Sequence, residues 1–213
     1  MYIAIEGPKG CGKSALLERL PQRLREYGVD VVMLCPTRPI PVAHPLERLA
    51  ANSDDDALRE RLYAARSNYH AAQIPPGTQL VLGDRSILTS YATRWDRFSA
   101  TQRHLCIERV DAMENLIGRP DHVILLNVSE EQLLARLQAR LGRRYGKQDE
   151  TPERLRSALA AYSEMRERRA ELGLESIVWH DIDAGASPTV VMARVVVRIL
   201  EIISRAQRLK SAA

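Results

Sequence analysis

The tightest constraint in this chain is the octapeptide Gly7-Pro8-Lys9-Gly10-Cys11-Gly12-Lys13-Ser14. It fits G-x-x-x-x-G-K-[ST], a loop whose backbone N–H groups cradle a polyphosphate. The flanks agree with that reading. Residues 1–6 form a short apolar strand candidate, and residues 14–20 carry apolar side chains at helical spacing. A strand, a glycine loop and a helix start, in that order, aim the positive end of the helix dipole at the phosphates. Gly7, Gly10 and Gly12 let the backbone curl, and Lys9 and Cys11 lie in the same cradle. Lys13 reaches the terminal phosphates and Ser14 supplies a hydroxyl to Mg²⁺, so ATP and Mg²⁺ are the expected cofactors.

With 213 residues, 45% of them hydrophobic, the chain can bury a full core, and one domain over residues 1–213 is expected. A net charge of +4 suits an anionic substrate without being the footprint of a nucleic-acid binder. No apolar run approaches the roughly 20 residues of a membrane span, and the first residues lack the features of a secretory signal. The expected location is cytoplasmic, with no membrane partner. Cys11, Cys35 and Cys106 have neither metal nor disulfide spacing, and the five histidines show no metal spacing either.

Strand and helix patterns alternate along the chain. Strands are expected at residues 1–6, 31–35, 79–83, 122–128 and 176–183. Helices are expected at 14–20, 54–73, 86–92, 100–117, 129–140 and 151–172, with a last one opening at Ser187-Pro188. The four prolines between Pro36 and Pro45 point to an irregular loop. The strands are nearly continuously apolar, so both sheet faces should be covered by helices. The expected fold is therefore α/β: a P-loop NTPase fold with a five-stranded parallel sheet, helices on both faces and a basic lid.

Ligands of such sheets sit at the carboxyl ends of the strands. A second motif, Asp84-Arg85, stands directly after the third strand. Its carboxylate can approach the Mg²⁺ beside Ser14, and its guanidinium can bridge phosphoryl oxygens. Arg136, Arg140, Arg143, Arg144 and Lys147 crowd the segment around 141–150. A basic loop there can close over the transferring group and exclude water, with Arg143 or Arg144 as the lid arginine and Arg140 on the cofactor side.

Taken together these segments resemble thymidylate kinase and its relatives among the nucleoside and nucleoside-monophosphate kinases, over nearly the full length. Ile5-Glu6-Gly7 with its loop, Pro36-Thr37-Arg38-Pro39, Leu62-Tyr63-Ala64-Ala65-Arg66, Gly83-Asp84-Arg85-Ser86 with Thr89-Ser90, 120–128 and 180–184 carry the resemblance. It implies that Arg38, Arg66 and Arg85 bind the acceptor, that Tyr63 or Leu62 stacks on its base, that Ser90 contacts the base, and that Asp183 and Ala184 lie near the donor adenine. Three departures stand out. Lys9 replaces the usual aspartate, Pro39 replaces the glutamate of Thr-Arg-Glu-Pro, and Leu62 stands where an aromatic is expected.

A phosphate acceptor is already a nucleophile at neutral pH and needs alignment and charge neutralisation rather than a base. A nucleoside hydroxyl needs a carboxylate nearby, and deoxynucleoside kinases carry it after the second strand. Here that segment holds Arg38 and no acid before Glu47. The expected activity is phosphorylation of a (deoxy)nucleoside monophosphate, with an altered acceptor site. A deoxynucleoside kinase with Asp84 as base, a kinase of a hydroxylated or modified nucleotide, including one within DNA, and a non-catalytic switch are the alternatives. A homodimer through residues 100–117 is compatible with the pattern.

Overall fold

A computed structural model describes residues 1–41, 44–51, 55–139 and 151–211. In chain order the elements are β1 (Tyr2–Glu6), α1 (Lys13–Leu17), α2 (Leu20–Arg25), β2 (Val32–Leu34), α3 (Pro45–Ala51), α4 (Asp56–Ala72), β3 (Val81–Asp84), α5 (Ile87–Arg94), α6 (Arg103–Met113), β4 (His122–Asn127), α7 (Glu130–Gln138), α8 (Pro152–Glu167), β5 (Val178–Asp183) and α9 (Pro188–Ser211). The strands form one parallel sheet in the order β2-β3-β1-β4-β5. From β1 the chain runs to one side of the sheet, then crosses to the other. The crevice at the carboxyl end of β1 is therefore the topological switch point.

Side-chain alternation along each strand feeds two cores. Ile3, Ile5, Leu82, Ile124, Leu126 and Ile182 pack with α1, α2 and α9. Leu34, Val123 and Leu125 pack on the opposite face with α5, α6 and α8. Helix α9 covers the first core with Val191, Val195, Ile199 and Ile202, spaced by four, four and three residues as one helical face requires. Each such side chain, fully buried, contributes about 1.5–3 kcal/mol. This is the doubly covered P-loop NTPase sheet that the apolar strands implied.

The boundaries differ where local chemistry overrides periodicity. The helix expected at 14–20 breaks, and α2 restarts with Pro21 in its first turn, because proline has no N–H to give and clashes with the preceding turn. The proline-rich stretch contains α3, with Pro45 at its first position, where a missing N–H costs nothing. Helix α4 is capped by Asp55, whose side chain accepts from Ala57 N and Leu58 N, and not by Ser53 or Asp54, which lie outside the described residues. The helix expected at 100–117 is shorter. Residues 100–102 form a 3₁₀ turn and α6 stops at Met113, where the Asn68 side chain takes the Met113 carbonyl and the Leu116 N–H. Ser129 caps α7 by accepting from Gln132 N, as expected. Among the described residues no helix is long and apolar enough to cross a membrane.

Candidate active site

The loop after β1 turns through Gly7, Gly10 and Gly12 with φ of 139°, 94° and 105°. A Cβ on Gly7 would stand 2.9 Å from the Leu126 carbonyl oxygen on β4, so the loop can lie against that strand only with glycine there. Lys13 is buried beneath the loop. Its Nζ donates to the carbonyls of Gly7 and, at 2.9 Å, Pro8, and approaches Cys11 Sγ at 3.3 Å. Burial lowers its ammonium to about 8, and the neighbouring Arg85 adds to the effect. An anion in the cradle opposes both causes. Ser14, in the first turn of α1, is exposed. Arg136 on α7 joins the loop to the end of β5, donating to Cys11 O at 3.4 Å and to Ala184 O at 2.8 Å. Asp183 ends β5 and Ala184 is buried. Gly7 to Ser14, Asp183 and Ala184, the residues expected on the donor side, are thus joined in one wall. Arg136 is the staple, and its role was not legible from its place in a basic cluster.

Strands β1 and β3 are neighbours, with Ile5 opposite Asp84, so the Asp-Arg pair comes to the edge of the phosphate loop. The hydroxyl of Ser14 and the carboxylate of Asp84 are hard oxygen donors of the kind Mg²⁺ takes beside phosphate oxygens. Arg85 has φ 75° and is the one non-glycine residue with positive φ among those described, a conformation costing about 1–3 kcal/mol. Its neighbours hold it there. Arg85 N donates to Ile5 O at 3.2 Å, and its carbonyl accepts from the Tyr2 hydroxyl at 3.3 Å. A Cβ on Gly83 would lie 2.6 Å from that carbonyl and 2.8 Å from the Tyr2 ring. Under this motif sits Glu6, the last residue of β1, with no exposed surface. Sequence reasoning treated it as a strand end.

Arg38, Tyr63 and Arg66, expected to meet the acceptor, lie on α4 and the turn after β2, beside α3. Arg38 Nη2 stands 3.7 Å from Asp84 Oδ2, its own side chain largely open to solvent. The turn carrying Arg38 is tied down by three side chains. His70 bonds the Arg38 carbonyl at 3.1 Å, Arg66 Nη1 donates to Thr37 O at 3.3 Å, and Glu47 accepts from Ile40 N at 3.0 Å. Arg66 also grips Glu47 with two parallel hydrogen bonds, through Nε at 2.7 Å and through Nη2. That pairing holds the Glu47 carboxyl below the usual carboxylate range. The Tyr63 ring lies under the Arg66 guanidinium, 5.5 Å from centroid to Cζ, whereas Leu62 is buried in helix packing. Ser90 is buried on α5, and its carbonyl accepts from Arg94 at 2.9 Å. Arg94 stands 3.6 Å from Glu60 and 3.8 Å from Glu114, and burial raises the Glu114 carboxyl. The pairing of Arg66 with Glu47 had no signal in spacing, since the two are 19 residues apart. Arg140, Arg143, Arg144, Lys147 and the 141–150 lid lie outside the described residues.

The thymidylate kinase family model matches residues 5–195. A thymidylate kinase of Pseudomonas entomophila (strain L48) is 33% identical over 151 residues, which cover 66% of this chain and 70% of that relative. One of Pseudomonas putida (strain W619) is 32% identical with the same coverage. The family-model match takes in the phosphate loop, the Asp-Arg motif and strands β2 to β5. The chain belongs to the thymidylate kinase family, whose members are nucleoside monophosphate kinases with ATP as phosphate donor.

Proposed function

We propose that this kinase, with Mg²⁺ and ATP, phosphorylates a nucleoside monophosphate through an acceptor site altered from that of its thymidylate-phosphorylating relatives. The observation that carries the reading is Arg38, set 3.7 Å from Asp84 at the tips of β2 and β3. A guanidinium there neutralises an incoming phosphate and aligns it with the loop. Lys13, Arg85 and Arg38 then surround the transferring group with positive charge, which is what a phosphoryl-transfer transition state requires. Mg²⁺ would be held by Ser14 and Asp84 and would offset charge on the donor phosphates.

The altered specificity rests on the wall facing the base and sugar. Lys9 places an ammonium where the resemblance implies a carboxylate. Leu62 offers no ring, so Tyr63 is the aromatic on that side. Arg66 is engaged by Glu47 and Thr37. Acceptor panels at saturating ATP·Mg²⁺ test the reading. Monophosphates should be turned over and free nucleosides should not; turnover of nucleosides alone would return Asp84 to the role of general base.

A further inference from the structure

We propose that Glu6 is a positioning residue for Arg85, acting through Ser86, Thr89 and Tyr162. This rests on Arg85 serving phosphoryl transfer, as set out above. Four hydrogen bonds converge on the Glu6 carboxylate. Ser86 N and Ser86 Oγ each donate to Oε1 at 2.7 Å. Thr89 Oγ1 donates to Oε2 at 2.8 Å and Tyr162 Oη donates to the same oxygen at 2.7 Å. Arg85 Nη1 in turn donates to Thr89 Oγ1 at 3.3 Å. The carboxylate therefore grips Arg85 at two points. It fixes the peptide that follows Arg85, through Ser86 N, and it fixes the side chain, through Thr89.

The choice of residue argues for more than packing. Burying a carboxylate with no exposed surface carries a desolvation cost that apolar side chains of similar volume avoid, and packing alone would favour them. What an apolar residue could not do is accept from four donors at once, or balance the charge above it. The Lys13 ammonium feels both the Arg85 guanidinium, which opposes its charge, and the Glu6 carboxylate, which favours it. Glu6 thus supplies the fixed anion under two cations that must converge on phosphate. It also carries the only strained non-glycine backbone among the described residues, at Arg85. Tyr162 extends the network to α8, which begins directly after the 141–150 segment, so the same carboxylate ties that helix to the floor of the site.

A double-mutant cycle tests this, run on whichever acceptor the wild-type chain turns over best, so that a wrong acceptor class leaves the cycle readable. Glu6→Gln should lower kcat about 30-fold, with KM for ATP changed less than about 3-fold, and Tyr162→Phe should lower kcat about 5-fold. In an Arg85→Ala background both substitutions should cost less than about 2-fold, because residues acting as one unit are non-additive. Equal losses in the presence and absence of the Arg85 side chain would overturn the proposal and leave Glu6 a support of the fold alone. If Glu6→Gln fails to fold, judged by its thermal transition, the Tyr162→Phe arm of the cycle decides by the same criterion.

Discussion

The two halves of the site are held by different kinds of contact. On the donor side, Lys13 and Arg136 bind backbone carbonyls of Gly7, Pro8, Cys11 and Ala184. Around Arg38, side chains hold the turn's backbone at Thr37 O, Arg38 O and Ile40 N, and they also pair with one another, Glu47 with Arg66 and Arg38 with Asp84. A cradle made of backbone tolerates few changes, because its shape is set by glycine positions. A wall held in part by side-chain pairs can be rebuilt by single substitutions, and Lys9, though it stands in the loop, changes a side chain and leaves the glycine frame in place. On the proposed function, variation of substrate belongs to exchangeable side chains and the shared chemistry to the glycine frame.

That contrast can be broken by experiment. The largest effect should come from Lys13→Ala, which removes the ammonium proposed to meet the phosphates and the Lys13 donor to the Gly7 and Pro8 carbonyls. Its kcat/KM should fall on the order of 10³-fold with any acceptor, and a variant that lost activity with only one acceptor would contradict the division. Next, Glu47→Ala should raise KM for the acceptor roughly 10-fold through misplacement of Arg38, with KM for ATP unmoved in the same initial-rate series. Lys9→Asp is a smaller lever: the ratio of kcat/KM for thymidylate to that for the preferred monophosphate should rise by roughly 5- to 10-fold, on the order of one charge interaction at a partly wetted site.

The smallest effect lies away from both halves. His122 and His180 meet on adjacent strands with ring nitrogens 3.2 Å apart. Burial lowers both, and for His180 the neighbouring His122 and Arg198 lower it further, against Asp181 and Glu201; for His122, Asp121 opposes the shift. The unfolded chain then binds more protons than the folded one below the ordinary histidine value of 6.5. Stability should fall as pH drops through that value and level off below the folded-state values, with a slope of at most about 1.4 kcal/mol per pH unit for each proton. Urea midpoints between pH 7 and pH 5 check this, and a His180→Asn chain should show a shallower fall. Activity at the crevice should not follow that stability change.

The same division explains what could be read in the sequence. The loop, its flanking strand and helix, and the five-stranded sheet were legible because glycine spacing and apolar runs are local signals. Ser129 as a cap was legible for the same reason. Pro45 misled, since a proline that forbids a helix interior is welcome at its first position. Glu6, Arg136 and Glu47 were illegible as site residues because their partners lie 80 or more, 125 and 19 residues away. Arg66 illustrates the limit best. The resemblance marks it as an acceptor ligand, while its immediate partners, Glu47 and the Thr37 carbonyl, appear only when α3 and α4 are packed against the turn.

On the proposed function, a common donor cradle here serves a rebuilt acceptor wall. The most direct measurement is kcat/KM for thymidylate beside the other natural deoxynucleoside and ribonucleoside monophosphates, at saturating ATP·Mg²⁺. A monophosphate with a base other than thymine should be turned over in preference to thymidylate. Thymidylate as the best substrate by a clear margin would contradict it and would show that Lys9, Pro39 and Leu62 leave the acceptor site of the family unchanged.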